Sequence, residues 1–320
     1  MCSIIEEIKK IGIIPVIKID DVKKAVPLAK ALMAGGIPCA EITFRTAQAE
    51  ESIQRIRDEV PEILLGAGTV LTADQVDKAV DAGAKFIVTP GLNPNVVSRC
   101  MERGVPITPG CSTPTDIEKA LEMGVETVKI FPAEQLGGIE YIKTIAAPYP
   151  ALTFIPSGGI NAQTIVKYLA FERTIACGGS WMVNPDMINS DEFDKITALS
   201  REAVMNILGF ETAHVGFNME NEGIAYKTAT RLASLFGLKN KGSLTSIYCG
   251  GGIEVMNKPS PGKNGHIAIC TNSMFRAMAY LERQGIEFNH DKKITDSKGN
   301  IYEVYLKDEI GGFAFHLLQK

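Results

Sequence analysis

The amino-acid sequence predicts an α/β chain: a (β/α)8 TIM barrel over residues 1–208, followed by a smaller α+β domain of paired βαβββ modules over residues 209–320. Three observations lead there. Eight short apolar runs open 20 to 26 residues apart, that spacing breaks after Gly209, and the remaining chain repeats a strand–helix–strands pattern twice. A length of 320 residues suits two such units, since a domain takes roughly 150 residues and a barrel up to about 250.

The eight runs cover residues 13–19, 39–45, 64–70, 86–92, 106–112, 127–133, 153–159 and 174–180. Each interval holds one strand, one short helix and two loops. Asp21 opens the first helix, and Thr72-Ala73-Asp74 and Ser112-Thr113-Pro114 read as helix N-terminal caps. Strands that are almost continuously apolar belong to a parallel sheet buried on both faces. Eight βα units are the number that closes a barrel, and no G-x-G-x-x-G follows the first run to suggest an open doubly wound sheet. Residues 190–208 predict a last helix, stopped by Gly209. From Glu211 the chain predicts a strand, a helix and several strands. It then predicts a strand at 266–270, a helix at 273–284 and strands at 301–307 and 313–318, giving two imperfect βαβββ copies of about 50 residues.

Net charge is −4 and no basic block is present, which argues against nucleic acid or an anionic membrane and for small-molecule partners. Seven cysteines, Cys2, Cys39, Cys100, Cys111, Cys177, Cys249 and Cys270, show no C-x-x-C spacing, as expected of free thiols in a reducing cytoplasm. Glu6 and Glu7 precede any apolar run that could act as a signal core, and no run approaches the roughly 18 apolar residues of a membrane span.

Barrel enzymes carry their chemistry at the C-terminal ends of the strands. Lys129 lies there, an ammonium among apolar residues in Thr127-Val128-Lys129-Ile130-Phe131-Pro132-Ala133-Glu134. Burial disfavours its charged form, and a neutral amine attacks carbonyls to form a Schiff base. Glu41, Thr43 and Arg45 share one parity of the second run, so one strand offers an acid, a hydroxyl and a cation to the barrel mouth. A 2-oxo acid needs such parts: an amine nucleophile in Lys129, a proton-moving carboxylate in Glu41, and a cation for the substrate carboxylate in Arg45. The bland reading is a structural Glu–Arg pair. Ser157-Gly158-Gly159 and Gly178-Gly179-Ser180 end the seventh and eighth runs, where barrels hold phosphate on backbone N–H groups at helix N-termini. Gly66-Ala67-Gly68-Thr69 reads either as a close backbone approach to ligand, with Thr69 donating, or as a tight turn.

With these runs in order, and with Thr89-Pro90-Gly91, Thr108-Pro109-Gly110 and Gly178-Gly179-Ser180-Trp181 beside them, residues 1 to about 208 resemble the 2-keto-3-deoxy-6-phosphogluconate (KDPG) aldolase family, whose members also act on 4-hydroxy-2-oxoglutarate. The resemblance implies a metal-free class I aldolase of carbohydrate metabolism, with Lys129 as Schiff base and Glu41 as acid/base. It also implies Arg45 and Thr69 at the pyruvate-end carboxylate, Gly158, Gly159 and Ser180 at a distal phosphate, and a homotrimer. Ser157 stands where the family usually has Thr, which bears on substrate preference. The rival is a phosphosugar-binding barrel in which Lys129 only contacts an anion.

All four histidines follow the barrel. His214, Glu254, His266 and His316 occupy equivalent places in the two copies, and His with carboxylate suits a divalent ion such as Zn, Ni, Mn or Fe. Residues 211–318 resemble vicinal-oxygen-chelate (glyoxalase-like) domains, which implies a metal on these four residues, although His316 stands where glutamate is typical. Its alternatives are a metal-free partner domain, a second enzyme or a ligand sensor. His290, between Asn289 and Asp291, reads as a surface residue in a polar turn.

Overall fold

The computed structural model describes residues 3–320, which divide into two compact units at Ile207/Leu208. Cys2 lies outside the described residues.

In the first unit a helix, Ile4–Ile11, capped by Ser3, precedes the strands; the sequence pattern did not anticipate it. The strands are β1 (Ile13–Ile17), β2 (Cys39–Thr43), β3 (Leu64–Gly68), β4 (Phe86–Val88), β5 (Ile107–Thr108), β6 (Gly110–Cys111), β7 (Thr127–Ile130), β8 (Thr153–Pro156) and β9 (Cys177–Gly179). The fifth expected strand is thus two pieces either side of Pro109, whose nitrogen has no hydrogen to give to a ladder.

All pairs in this unit are parallel, in the orders β5-β4-β3-β2-β1-β9 and β6-β7-β8. The chain itself links β5 to β6. Parallel bridges Phe154↔Thr174 and Ser157↔Gly178 link the β8 segment to β9, and the ring closes into the expected barrel. Helices fill the intervals. Thr72 accepts from Gln75 N and caps Ala73–Ala82, and Thr113 and Asp116 form a capping box on Pro114–Glu122. Every strand ends before its apolar run does, because the last residues of each run leave the ladder to build the loops of the barrel mouth. The last helix starts at Phe193 rather than 190, and Gly209, at φ +58°, follows its end at Leu208.

The second unit is one eight-stranded sheet: β10 (Glu211–Asn218), β11 (Asn240–Gly242), β12 (Ser246–Cys249), β13 (Ile253–Met256), β14 (His266–Thr271), β15 (Phe288–Thr295), β16 (Ile301–Leu306) and β17 (Ala314–Gln319). Helices Glu222–Phe236 and Met274–Arg283 follow β10 and β14, which makes two βαβββ modules. Their order is β11-β12-β13-β10-β14-β17-β16-β15, so the modules meet at an antiparallel β10–β14 seam with Gly216↔His266 and His214↔Ala268 in register. Strand alternation divides the first module's residues. Ile247, Cys249, Ile253 and Val255 pack with Ala225, Ala229 and Leu232 of the helix, leaving Ser246, Tyr248 and Glu254 on the other face. His290 is exposed as expected, but on β15 rather than in a turn.

Candidate active site and a second buried cluster

Lys129 sits on β7 between Gly110 of β6 and Ile155 of β8, only 7% exposed, with Nζ 5.2 Å from the centroid of the Phe131 ring. Glu41, on β2, is 2% exposed, and its Oε1 is buried without a hydrogen-bond partner. Burial pushes the Glu41 carboxyl above the usual carboxylate range, while the charges of Lys129 and Arg45 pull it down by less. The net direction is upward, toward a carboxyl that holds its proton more firmly than a solvated one.

Gly68 explains how that carboxyl fits. A Cβ there would lie 1.9 Å from Glu41 Oε1, and one on Gly66 would lie 2.2 Å from the Phe86 ring. These glycines therefore admit neighbouring side chains, and both lie within β3 rather than in a tight turn. Thr69 follows at φ 54°, a left-handed conformation that is costly for a β-branched residue and clusters at functional sites.

Arg45 departs from the expected strand face. β2 ends at Thr43, and Arg45 is exposed in the turn beyond it. Its Nε donates to Thr43 Oγ1 at 3.0 Å, while the fully buried Thr43 hydroxyl donates to Ile17 O at 2.7 Å. The hydroxyl thus ties the guanidinium back to the barrel.

The glycine loops also differ from expectation. Gly158 and Gly159 turn the chain at φ 100° and 82°, but the next helix begins only at Ile165, so these glycines are not at its N-terminus. Ser157 is buried, with Oγ 2.7 Å from where a Gly178 Cβ would stand. Ser180 is exposed and opens a single 3-10 turn, Trp181–Val183. A Gly158 Cβ would lie 3.1 Å from Pro132 Cα and 3.3 Å from the Phe131 ring, so this loop packs directly beyond Lys129. Sequence reasoning passed over Glu134, which accepts a hydrogen bond from Tyr168 and fills the space a Gly159 Cβ would take. Its signal was a carboxylate five residues past the lysine in the same run.

In the second unit His214, His266 and His316 are all buried and can each offer one ring nitrogen, these atoms lying within 4.8 Å of one another. Glu254 Oε2 lies 3.1 Å from His214 Nε2 and 3.0 Å from His266 Nε2, and Ser246 Oγ donates to Glu254 Oε1 at 2.5 Å. Burial alone would raise the Glu254 carboxyl, yet hydrogen bonds from His214, His266 and Ser246 outweigh it and hold it well below the usual range. Both ring nitrogens of His316 are buried and neither makes a hydrogen bond, although Glu303 Oε1 lies 3.1 Å from Nδ1. Orphaned buried nitrogens beside two imidazoles and a carboxylate are a donor set that fits a divalent ion.

A parallel barrel with a buried lysine and a buried carboxyl of raised pKa on its strands defines a Schiff-base lyase of the class I aldolase type. The comparisons with known proteins specify it. The family model for KDPG and KHG aldolase matches residues 4–199, and the chain belongs to that family. It is similar to the 2-dehydro-3-deoxy-phosphogluconate aldolase of Treponema pallidum, 49% identical over 204 residues, which cover 64% of this chain and 97% of the relative. It is also similar to the KHG/KDPG aldolase of Escherichia coli K12, 40% identical over 192 residues, 60% of this chain and 90% of that one. Among solved structures, a KDPG aldolase from Legionella pneumophila, with pyruvate captured as a covalent carbinolamine, superposes with a TM-score of 0.61 at 34% identity. That match covers 63% of this chain and 98% of the other. No helix among the described residues is long and apolar enough to cross a membrane.

Proposed function

We propose that the barrel is an aldehyde-lyase that cleaves 2-keto-3-deoxy-6-phosphogluconate to pyruvate and glyceraldehyde 3-phosphate, and/or 4-hydroxy-2-oxoglutarate to pyruvate and glyoxylate. The observation that carries this reading is the buried Glu41 carboxyl, packed against Gly68 and within the field of Lys129. The amine of Lys129 adds to the C2 ketone, and Glu41 gives a proton to the departing hydroxyl as the carbinolamine loses water. The protonated imine then draws electrons as the C4 hydroxyl loses its proton to Glu41, directly or through a water. The C3–C4 bond breaks, the aldehyde leaves, and the enamine takes a proton at C3 before hydrolysis frees pyruvate and the lysine. Arg45, held by Thr43, and Thr69 receive the substrate carboxylate, and Ser157, Gly158, Gly159 and Ser180 the distal phosphate. The family supports a homotrimer, a cytoplasmic setting and a place in the Entner–Doudoroff pathway.

Pyruvate with borohydride tests the reading. Wild-type protein forms a reduced adduct on Lys129, and Lys129→Met loses both the adduct and cleavage. An adduct that persists in Lys129→Met overturns the assignment and leaves the anion-binding barrel.

A second reading concerns the C-terminal unit, favoured by the orphaned nitrogens of His316. His214, Glu254, His266 and His316 hold a divalent ion such as Zn, Ni, Mn or Fe, which when bound supplies Lewis-acid polarisation of a coordinated oxygen. Stoichiometric metal after metal-replete purification is the expected result, and a metal-free protein overturns it.

A further inference from the structure

The two modules carry the same positions with the chemistry exchanged, and strand register makes the equivalence explicit. In the first module Tyr248 pairs with Glu254 and Ser246 with Met256. In the second, Tyr305 pairs with His316 and Glu303 with Leu318. On either side of the seam, Gly216 pairs with Glu254 across β10–β13, and Ala268 with His316 across β14–β17. His214 therefore corresponds to His266, Glu254 to His316, Tyr248 to Tyr305, and Ser246 to Glu303.

Laid over one another, the half-sites differ in a paired way. Where the first offers a carboxylate ligand, Glu254, its partner is a hydroxyl donor, Ser246, at 2.5 Å. Where the second offers an imidazole, His316, the corresponding partner is a carboxylate, Glu303, with Oε1 3.1 Å from His316 Nδ1. The Glu303 carboxylate is 19% exposed, and the Tyr305 ring stacks on the imidazole at 4.6 Å and 9°. A carboxylate behind one nitrogen of a metal-bound imidazole fixes its tautomer and raises the basicity of the other nitrogen.

We infer that Glu303 is the positioning residue that makes His316 the fourth metal ligand, and that the pair Glu303–His316 is a matched exchange for the pair Ser246–Glu254. This rests on the metal reading above and names which residue completes the site. On this account His316 is no degraded glutamate position. Both half-sites keep one carboxylate, as the ligand in the first and directly behind the ligand in the second.

The test titrates Co²⁺ and Zn²⁺ into the full-length apo-protein against a chromophoric chelator, and records the Co²⁺ visible absorption spectrum. Four proteins are compared: wild type, Glu303→Gln, His316→Glu, and the double variant His316→Glu with Glu303→Ser. Glu303→Gln is expected to weaken affinity by about 10- to 100-fold and to shift the Co²⁺ bands, an effect that a merely structural role would not produce. His316→Glu alone places two carboxylates together and is expected to bind more weakly than wild type. The double variant rebuilds the first module's arrangement and is expected to return to within about threefold of wild type. Because the double variant is read as a gain over His316→Glu, loss of folding in a single variant does not imitate the result. Wild-type affinity in Glu303→Gln, or a double variant no better than His316→Glu, overturns the inference while leaving the metal reading intact. A wild-type protein that takes up neither ion overturns both.

Discussion

The barrel mouth and the C-terminal cluster both bury ionisable groups, and they handle the cost in opposite ways. Glu41 is buried with one oxygen unpartnered, and desolvation pushes its carboxyl above the usual range. Glu254 is buried under three donors, and its charge is kept by hydrogen bonds. A carboxyl that holds and releases a proton suits acid–base chemistry, whereas a permanently ionised one suits a cation. The difference lies in what surrounds the oxygen, since both residues are glutamates on strands.

Several experiments sharpen or break that contrast. Glu41→Gln keeps shape but cannot exchange a proton, so kcat is expected to fall by about 10² to 10⁴, measured by coupled pyruvate release. A drop of less than tenfold would remove Glu41 from proton transfer. At the other site, a divalent ion at 100 times its Kd is expected to stabilise the C-terminal unit by about 2.7 kcal/mol. His214→Ala should abolish that gain in calorimetry, and a gain that survives places the ion elsewhere. Thr43→Val removes the hydroxyl that holds Arg45 and should raise KM for the 2-oxo acid about fivefold with little change in kcat, as loss of a hydrogen bond worth about 1 kcal/mol implies.

The smallest effect concerns stability against pH. Because the folded-state pKa of Glu41 is raised, ionising it opposes folding, so the penalty is absent below the unfolded-state pKa and grows as pH rises toward the folded value. Glu41→Gln should match wild type in Tm at acidic pH and exceed it as pH rises, measured by thermal unfolding across the pH range. Equal Tm values across that range would mean that Glu41 is not held neutral. Lys129 and Arg45, whose charges face it, set how much of that penalty is offset.

Local pattern made much of this legible. The spacing of eight apolar runs, the caps at Thr72 and Thr113, and the repeat after Gly209 are properties of neighbouring residues, so local pattern specified the eight βα units and the two modules. Lys129 was conspicuous because an ammonium inside an apolar run is costly wherever the run is buried. Other features were decided only by contact between distant residues. The barrel's closure through Ser157↔Gly178, the reason for Gly68, and the turn that returns Arg45 to Thr43 depend on segments separated along the chain or on where a strand stops. The exchange of Ser246–Glu254 for Glu303–His316 belongs to the same class. A sequence lists these residues dozens of positions apart, and only strand register shows which side chains share a face and which one stands behind which ligand.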